Sequence, residues 1–433
     1  MSAVVRLLVI SALALLLTGA PAGAAPWSPS APVAVGAGAG TPAAAIAADG
    51  SDVVAVVDNN GVESTVRAPG ETTFGPPQVV APPPSPGGRI AHLRLVQVPR
   101  AETVAVWSRA APGERERIEW AERPPGGVFG PVREVPRTGL PDDALTDDIR
   151  AGAGANGDVV LALTVEGTQA SGGFGFRVFA TVRPAGGEFA GPVTVGGLGS
   201  LSPSVAVGAD GDAVVAWLQG GATRPGAIRT SRRPPGGAFE APTTLDRTTG
   251  PGLAQPFVAP GVGGETVAMW YRRDGRVKRV YFSVRPAGAS RFAAMGTLGS
   301  APTRRYALAG GGSGDVAAVW DDADRSGPVL VVRRRFPGHG FAAARKLSHQ
   351  PSVRMLAGAV TGDGTLVAAW QRVSSGDRTE LWVAGQERSG RRTELVRLQE
   401  PAFFPGFALA AGPDGRALAT WTIPGSAPRW AAR

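Results

Sequence analysis

A single unit recurs eight times along this chain, and that periodicity restricts the fold more than any other feature. Its clearest copy is Asp210-Gly211-Asp212-Ala213-Val214-Val215-Ala216-Trp217, a turn followed by an apolar run ending in Trp. The same position is held by Val56, Trp107, Leu163, Trp217, Trp270, Trp320, Trp370 and Trp421, at intervals of 51, 56, 54, 53, 50, 50 and 51 residues. Further along each copy a second segment recurs, clearest as Arg233-Pro234-Pro235-Gly236-Gly237-Ala238-Phe239. Its other copies begin at Arg67, Arg123, Arg183, Arg285, Arg335 and, more loosely, Arg388, and resume with Phe74, Phe129, Phe189, Phe292 or Phe341. Pro and Gly between two short β-prone runs are hairpin chemistry.

Runs such as Ser204-Val205-Ala206-Val207, just ahead of Asp210-Gly211, add an inner strand to each unit. Four short antiparallel strands per unit, repeated radially, predict an all-β, single β-propeller. The chain ends supply an internal check. Residues Pro428 to Arg433 match a third strand and stop at its recurring Arg, while Trp27 to Val35 resemble the segment from Phe239 onward. The last blade is therefore expected to be closed by the mature N-terminal strand, which leaves no open sheet edge. Seven complete units and one split unit give eight blades, with seven blades or two smaller propellers as the alternatives.

The first 24 residues read as a secretory signal: Arg6, an apolar stretch from Leu7 to Leu17, then Ala22-Gly23-Ala24. The expectation is a secreted or cell-surface protein whose propeller domain spans residues 25–433. No later segment approaches the apolar length of a membrane helix.

Composition agrees with a turn-rich β protein. There are 62 Gly and 39 Pro, too many for a helical bundle, and 43% apolar residues, too many for a disordered chain. With no Cys and three His, thiol catalysis, disulfides and a thiolate metal centre are excluded, and neither metal nor cofactor is expected. The net charge of +9 comes from 44 basic residues of which only Lys278 and Lys346 are Lys. So uniform a preference for Arg reads as genome composition, and without clustered charge no nucleic-acid partner is expected.

A residue present in every unit is best explained by something every blade must do. The Trp series reads as packing between sheets, and the Arg series from Arg67 round to Arg433 as bonding to turn carbonyls or stacking on the aromatic that follows. Asp49-Gly50, Asn156-Gly157, Asp210-Gly211, Asp363-Gly364 and Asp414-Gly415 read as turns. Residues that depart from the repeat carry more functional weight. Arg94, Arg150, Arg304, Arg305 and Arg354 fall near the starts of innermost strands, with Tyr306 beside two of them. Guanidiniums lining a channel mouth suit a carboxylate, sulfate or phosphate, against the plainer reading that each pairs with a loop acid such as Asp147 or Asp148. The acidic stretches Asp322 to Gly327 and Asp142 to Asp148 read as solvated turns, since neither has the ligand spacing of a calcium loop.

The paired motif Asp-Gly-x-x-Val-Val-Ala-Trp and Arg-Pro-Pro-Gly-Gly-x-Phe resembles the repeats of uncharacterised exported β-propeller proteins of actinobacteria. That resemblance covers nearly the whole mature chain and implies a fold and an export route, with no activity attached. The WD40 and kelch signatures do not fit, nor does the docking pattern of quinone-dependent dehydrogenases. The chain is similar to sialidases in being a propeller, but their repeated Asp box is absent, and Tyr306 is the nearest analogue of their Tyr nucleophile.

The function expected from sequence is a non-catalytic, monomeric binding or scaffold module for a protein, glycan or cell-envelope polymer, with an anionic group as the suited ligand. The alternative is a glycan-processing hydrolase or lyase, sialidase-like, with its site at the channel mouth. The most divergent loops, Arg137 to Asp148 and Glu166 to Phe174, mark the surface where either would act.

Overall fold

A computed structural model of the chain describes residues 26–28, 30–33, 35, 40–168, 173–220, 225–324, 327–349, 353–375, 378–402 and 406–433. The proposed signal, residues 1–24, lies outside them. The described residues form eight four-stranded antiparallel sheets, the blades of an eight-bladed β-propeller. Blade four shows the plan: Ser200–Val207, Ala213–Gly220, Gly226–Arg233 and Thr243–Arg247 run from the innermost strand outward. The strand order of each blade matches the order read from the repeat. Blade eight is the split one. Its first three strands, Phe407–Ala411, Ala417–Trp421 and Arg429–Ala432, are completed by Ala31–Pro32, with Ala31 opposite Trp430.

The chain takes this form because each blade buries both faces of its second strand, so these strands are nearly continuous apolar runs. Val159–Thr168 and Ala213–Gly220 are examples. Their side chains meet those of the next blade, and the core is a ring of hydrophobic seams, one between each pair of neighbours. The six recurrent Trp side chains are at most 1% exposed, and each packs into the seam shared with the preceding blade. Several also bond through the indole: Trp107 Nε1 donates to Glu119 Oε2 and Trp270 Nε1 to Asp246 Oδ2, both at 2.7 Å.

Antiparallel order gives the ring two unlike faces. The starts of the innermost strands, the turns between second and third strands and the links between blades share one, called here the upper face. The turns between first and second strands and between third and fourth strands share the lower face.

On the lower face the recurring Arg at the end of each third strand reaches back to a carboxylate near the first turn of the preceding blade. Arg123 meets Asp49 at 3.4 Å, Arg183 meets Glu102 at 2.8 Å and Arg233 meets Asp158 at 3.1 Å. Arg285 meets Asp212 at 2.5 Å, Arg335 meets Glu265 at 2.6 Å and Arg388 meets Asp315 at 3.2 Å. Arg433 is attracted to Asp363 in the same sense. The closing seam differs, because Arg67 pairs with Asp52 of its own blade and Arg416 of blade eight reaches the Gly50 carbonyl. The carbonyl and aromatic contacts expected of this Arg series also occur: Arg285 Nη1 donates to the Ala289 carbonyl at 2.8 Å, and Arg67 lies 4.3 Å from the Trp430 ring centroid. The carboxylate partners are the addition, and they give the Asp of the Asp-Gly region a second role beside turn formation.

Two stability tests follow from these seams. Arg285 and Asp212 are 1% and 3% exposed, and Asp212 Oδ2 takes Arg285 while its Oδ1 takes Arg232 Nε at 2.9 Å, so Arg285→Ala removes one of two cations from a buried carboxylate, at a cost of about 3 kcal/mol. Urea unfolding is expected to show a lowered midpoint for Arg285→Ala; equal midpoints for the wild type and Arg285→Ala would reject the clamp. Removal of residues 26–35 strips blade eight of its outer strand, including the bonds Ser28 N to Ala432 O at 2.8 Å and Val33 N to Pro428 O at 2.7 Å. The shortened chain is expected to melt several degrees lower and to associate in light scattering, and unaltered melting would show that closure contributes nothing.

Candidate functional site

The candidate residues come from the repeat's exceptions, and all of them lie on or just before innermost strands at the upper face. Several of these strands carry a β-bulge there, where an extra residue re-aims the side chains that follow. The register shifts fall between Ala91 and Arg94, between Thr146 and Asp148, between Leu201 and Ser204, and between Val353 and Met355. Two bulges hold non-glycine residues in the left-handed region, His92 at φ 56° and Ser202 at φ 54°. Such strain persists only where the surroundings impose it.

Blades two and three place Arg94 and Arg150 at one depth. Arg94 is opposite Val106 and Arg150 opposite Ala162, each one residue before the recurrent position held by Trp107 and Leu163. The same level elsewhere carries Ala43, Ser204, Phe257, Ala307, Ala357 and Ala408. Arg94 donates to the Ile149 and Leu93 carbonyls at 2.9 Å and to Asp148 Oδ1 at 3.1 Å. Arg150 Nε donates to Asp148 Oδ2 at 2.8 Å, so one carboxylate bridges two guanidiniums. Burial, then the neighbouring Arg150 charge, lowers the Arg94 pKa. The pairing with Asp148 is the plainer of the two readings of these arginines, and among the described residues the terminal nitrogens of Arg150 make no hydrogen bond.

Blades six and seven place the remaining arginines on the far side of the ring, four blades away. Arg304 and Arg305, both exposed, precede Tyr306–Gly310. Arg304 lies 5.6 Å from the Tyr271 ring centroid, and the Arg305 carbonyl accepts the Asp321 N–H at 3.1 Å. Burial raises the Asp321 pKa, against the lowering effect of the Thr303 hydroxyl and the Arg305 charge. Arg354 sits in the bulge of Val353–Val360, exposed, with neither hydrogen bond nor ion pair among the described residues. The main-chain contact puts Arg305 beside Asp321, the residue after Trp320, and Arg354 lies between partners Arg372 and Gln371, just after Trp370. The two therefore stand at matching heights on neighbouring blades.

Tyr306 is placed differently from the arginines. It is 5% exposed, its hydroxyl donates to the Gln255 carbonyl, and its ring packs edge-on against Phe257 at 5.4 Å. Burial pushes its pKa well up, so this Tyr fills the seam between blades five and six and does not face a ligand.

The acidic stretches are occupied by protein contacts. Asp142 pairs with Arg115 at 3.0 Å, Asp143 accepts the Thr168 N–H at 3.0 Å, and Asp322 accepts from the Ser300 hydroxyl at 2.5 Å. The side chains of residues 324–326 and the loop 169–172 fall outside the described residues. No cluster of three or more His, Asp or Glu fit to hold a metal is found among the described residues, and no described helix is long and apolar enough to cross a membrane.

His92, which the sequence offers without an obvious acid partner, lies near Arg94 and near Glu116, a residue that the sequence reading passed over. His92 is half-buried at its bulge, and Glu116, 3% exposed, accepts the Thr146 N–H through Oε2. Each departs from the repeat, which was the only signal available for them, since neither falls in a motif.

No protein-family model and no curated protein matches this sequence. Among solved structures, the chain is similar to a protein of unknown function from Dyadobacter fermentans DSM 18053, at 12% identity over 81% of this chain and 95% of that one, with a TM-score of 0.43. It is similar to an ulvan lyase bound to -[GlcA(1-4)Rha3S]-, at 12% identity over 76% and 89%, with a TM-score of 0.46. It is also similar to the NanB sialidase of Streptococcus pneumoniae, at 8% identity over 88% and 83%, with a TM-score of 0.43. Likenesses at this level say nothing about what this chain binds or does.

The His92 environment predicts a pH effect. Burial and the Arg94 charge depress its pKa, with Arg89 acting in the same sense and Asp148 and Glu116 opposing. A depressed His value means that the unfolded chain takes up the extra proton first. The cost to stability is absent above the ordinary value near 6.5 and grows as pH falls through it, until the folded value is passed. The difference in urea midpoint between wild type and His92→Gln is expected to move in the variant's favour as pH is taken below about 6.5. A pH-independent difference would contradict it.

Proposed function

We propose that this chain is an exported, monomeric, non-catalytic binding propeller whose upper face takes an anionic glycan or cell-envelope polymer. The observation that carries the reading is the exposed group Arg304, Arg305 and Arg354 on blades six and seven, of which Arg354 has no ion pair among the described residues. On the lower face the recurring arginines are consumed by inter-blade carboxylates, so the two faces differ in the cationic groups they offer. Of the exposed large apolar side chains, Leu145, Phe174, Leu198, Val277, Met355 and Val373 are also on the upper face, at strand ends and hairpins. Apolar side chains beside guanidiniums suit a sugar polymer, which presents C–H faces and charged groups together.

A glycan-processing hydrolase or lyase is the second reading, and His92 is what favours it. An imidazole held below its ordinary pKa is a neutral proton acceptor at neutral pH. Against it, the described carboxylates nearest Arg150 on its strand are the adjacent Asp147 and Asp148, the latter committed to two arginines, and two opposed carboxylates are what glycoside hydrolysis by acid–base pairs requires.

The test is calorimetry with sulfated, uronic and neutral oligosaccharides. An anionic ligand is expected to bind, to weaken with salt, and to lose about tenfold or more in affinity in the triple variant Arg304→Ala/Arg305→Ala/Arg354→Ala. Unchanged affinity for every anionic glycan in that variant would remove the reading. Chain scission that depends on His92 would replace it with the second.

A further inference from the structure

Across the channel from Arg305 and Arg354, the upper end of the seam between blades two and three holds polar groups whose bonding is incomplete. Glu116 comes from the hairpin of blade two and is buried to 3% exposure. Its Oε2 is satisfied by the Thr146 N–H, but among the described residues Oε1 has no hydrogen bond, with Arg89 Nη2 at 3.7 Å. Buried carboxylate oxygens without a donor are rare, because water that would have bonded them has been removed. Arg89 itself is more than half exposed, so the group covering Glu116 is free to turn outward.

Other groups at this end of the seam are unfinished in the same way: His92 feels the charges of Glu116, Arg89 and Asp148, and Asp148 in turn holds Arg150. Arg150 commits Nε to Asp148, and its two terminal nitrogens make no hydrogen bond among the described residues. Among the described residues His92 makes none through either ring nitrogen, although its backbone is held at φ 56° in the bulge that presents it. Arg94, by contrast, has each of its three nitrogens bonded, to Ile149, Leu93 and Asp148. The spare capacity is thus two guanidiniums, one imidazole and one buried carboxylate oxygen. A carboxylate alone would answer the guanidiniums and leave Glu116 unserved. A molecule carrying a carboxylate and hydroxyl donors on one rigid ring answers all of them.

We propose that this seam is the subsite for a uronic-acid residue, with its carboxylate on Arg150 and Arg89, a ring hydroxyl donating to Glu116 Oε1, and His92 bonding a second hydroxyl. The proposal rests on the reading of the upper face as a site for an anionic glycan, and it names the sugar class and the side of the mouth that recognises it. Arg94 and Asp148 are positioning residues here, since they fix Arg150 without spare bonds of their own.

The experiment is calorimetry of the full mature chain with an oligogalacturonate, its methyl ester and an oligoglutamate, repeated with Arg89→Gln, Glu116→Gln and Arg354→Gln. Melting curves confirm that each variant is folded, and Arg89→Gln, at an exposed position, keeps the test open if Glu116→Gln fails to fold. The free uronate is expected to bind, the ester to bind about tenfold more weakly, and Arg89→Gln and Glu116→Gln each to lose about tenfold. Losses confined to Arg354→Gln would overturn this subsite and leave the broader reading in place. Equal binding of ester and acid, or of oligoglutamate with no dependence on Glu116, would overturn it in favour of another ligand. Absence of any binding by the folded wild type would overturn both.

Discussion

The seam between successive blades is the contact on which the rest of the molecule depends. Each seam joins an apolar sheet face, most of them carrying one large aromatic, to an ion pair made across the boundary at the lower face. Trp270 and Arg285 show the combination: both belong to blade five, and both reach into blade four, the indole to Asp246 and the guanidinium to Asp212. Apolar packing alone tolerates sliding of one sheet past the next. A bidentate-capable guanidinium on a carboxylate fixes height and angle. Because the ring is closed, small errors of angle would add up over the blades, and the split blade is where the sum must come to zero. There the pattern changes, with Arg416 and Arg67 sharing Asp52 and Arg67 also lying over Trp430.

A division between the faces follows. The lower face carries buried charge pairs whose loss is expensive, so its turns are short and regular. The upper face carries the bulges, the longer hairpins and the residues absent from the repeat. A bulge adds a residue without breaking the ladder on either side, so a blade can present His92, Arg150 or Arg354 at the mouth while its Trp and its Arg clamp stay in register. Scaffold and recognition are thereby separated along each strand, within a few residues of one another.

Much of this was legible in the sequence because repetition is itself a structural statement. The intervals between Trp positions gave the blade count, and the match of Pro428–Arg433 to a third strand located the closing blade. The carboxylate partners of the clamps were harder to see, since they occupy different offsets: Asp49 and Asp363 lie before the turn glycine, Asp158 and Asp212 after it, and Glu102, Glu265 and Asp315 in turns without that dipeptide. The bridging of Arg94 and Arg150 by Asp148 was open to sequence reasoning as one of two alternatives. Glu116 was not, because its burial depends on the blade-three strand that covers it, and no local pattern reports a neighbour from the next unit. Tyr306 shows the converse: it stands beside Arg304 and Arg305 in sequence, but its ring is buried against Phe257, a contact supplied by the neighbouring blade.

The charge of the chain also reads differently once the seams are known. A net charge of +9 suggests a diffuse attraction for polyanions. Yet most of the recurring arginines are turned inward and matched by carboxylates, so they contribute little field beyond the lower face. Among the arginines at the mouth, Arg304, Arg305 and Arg354 stand exposed on one side, and Arg89 and Arg150, each with one carboxylate partner, stand on the other. Under the proposed reading, groups set apart in this way suit a ligand that carries its charges at intervals along its length.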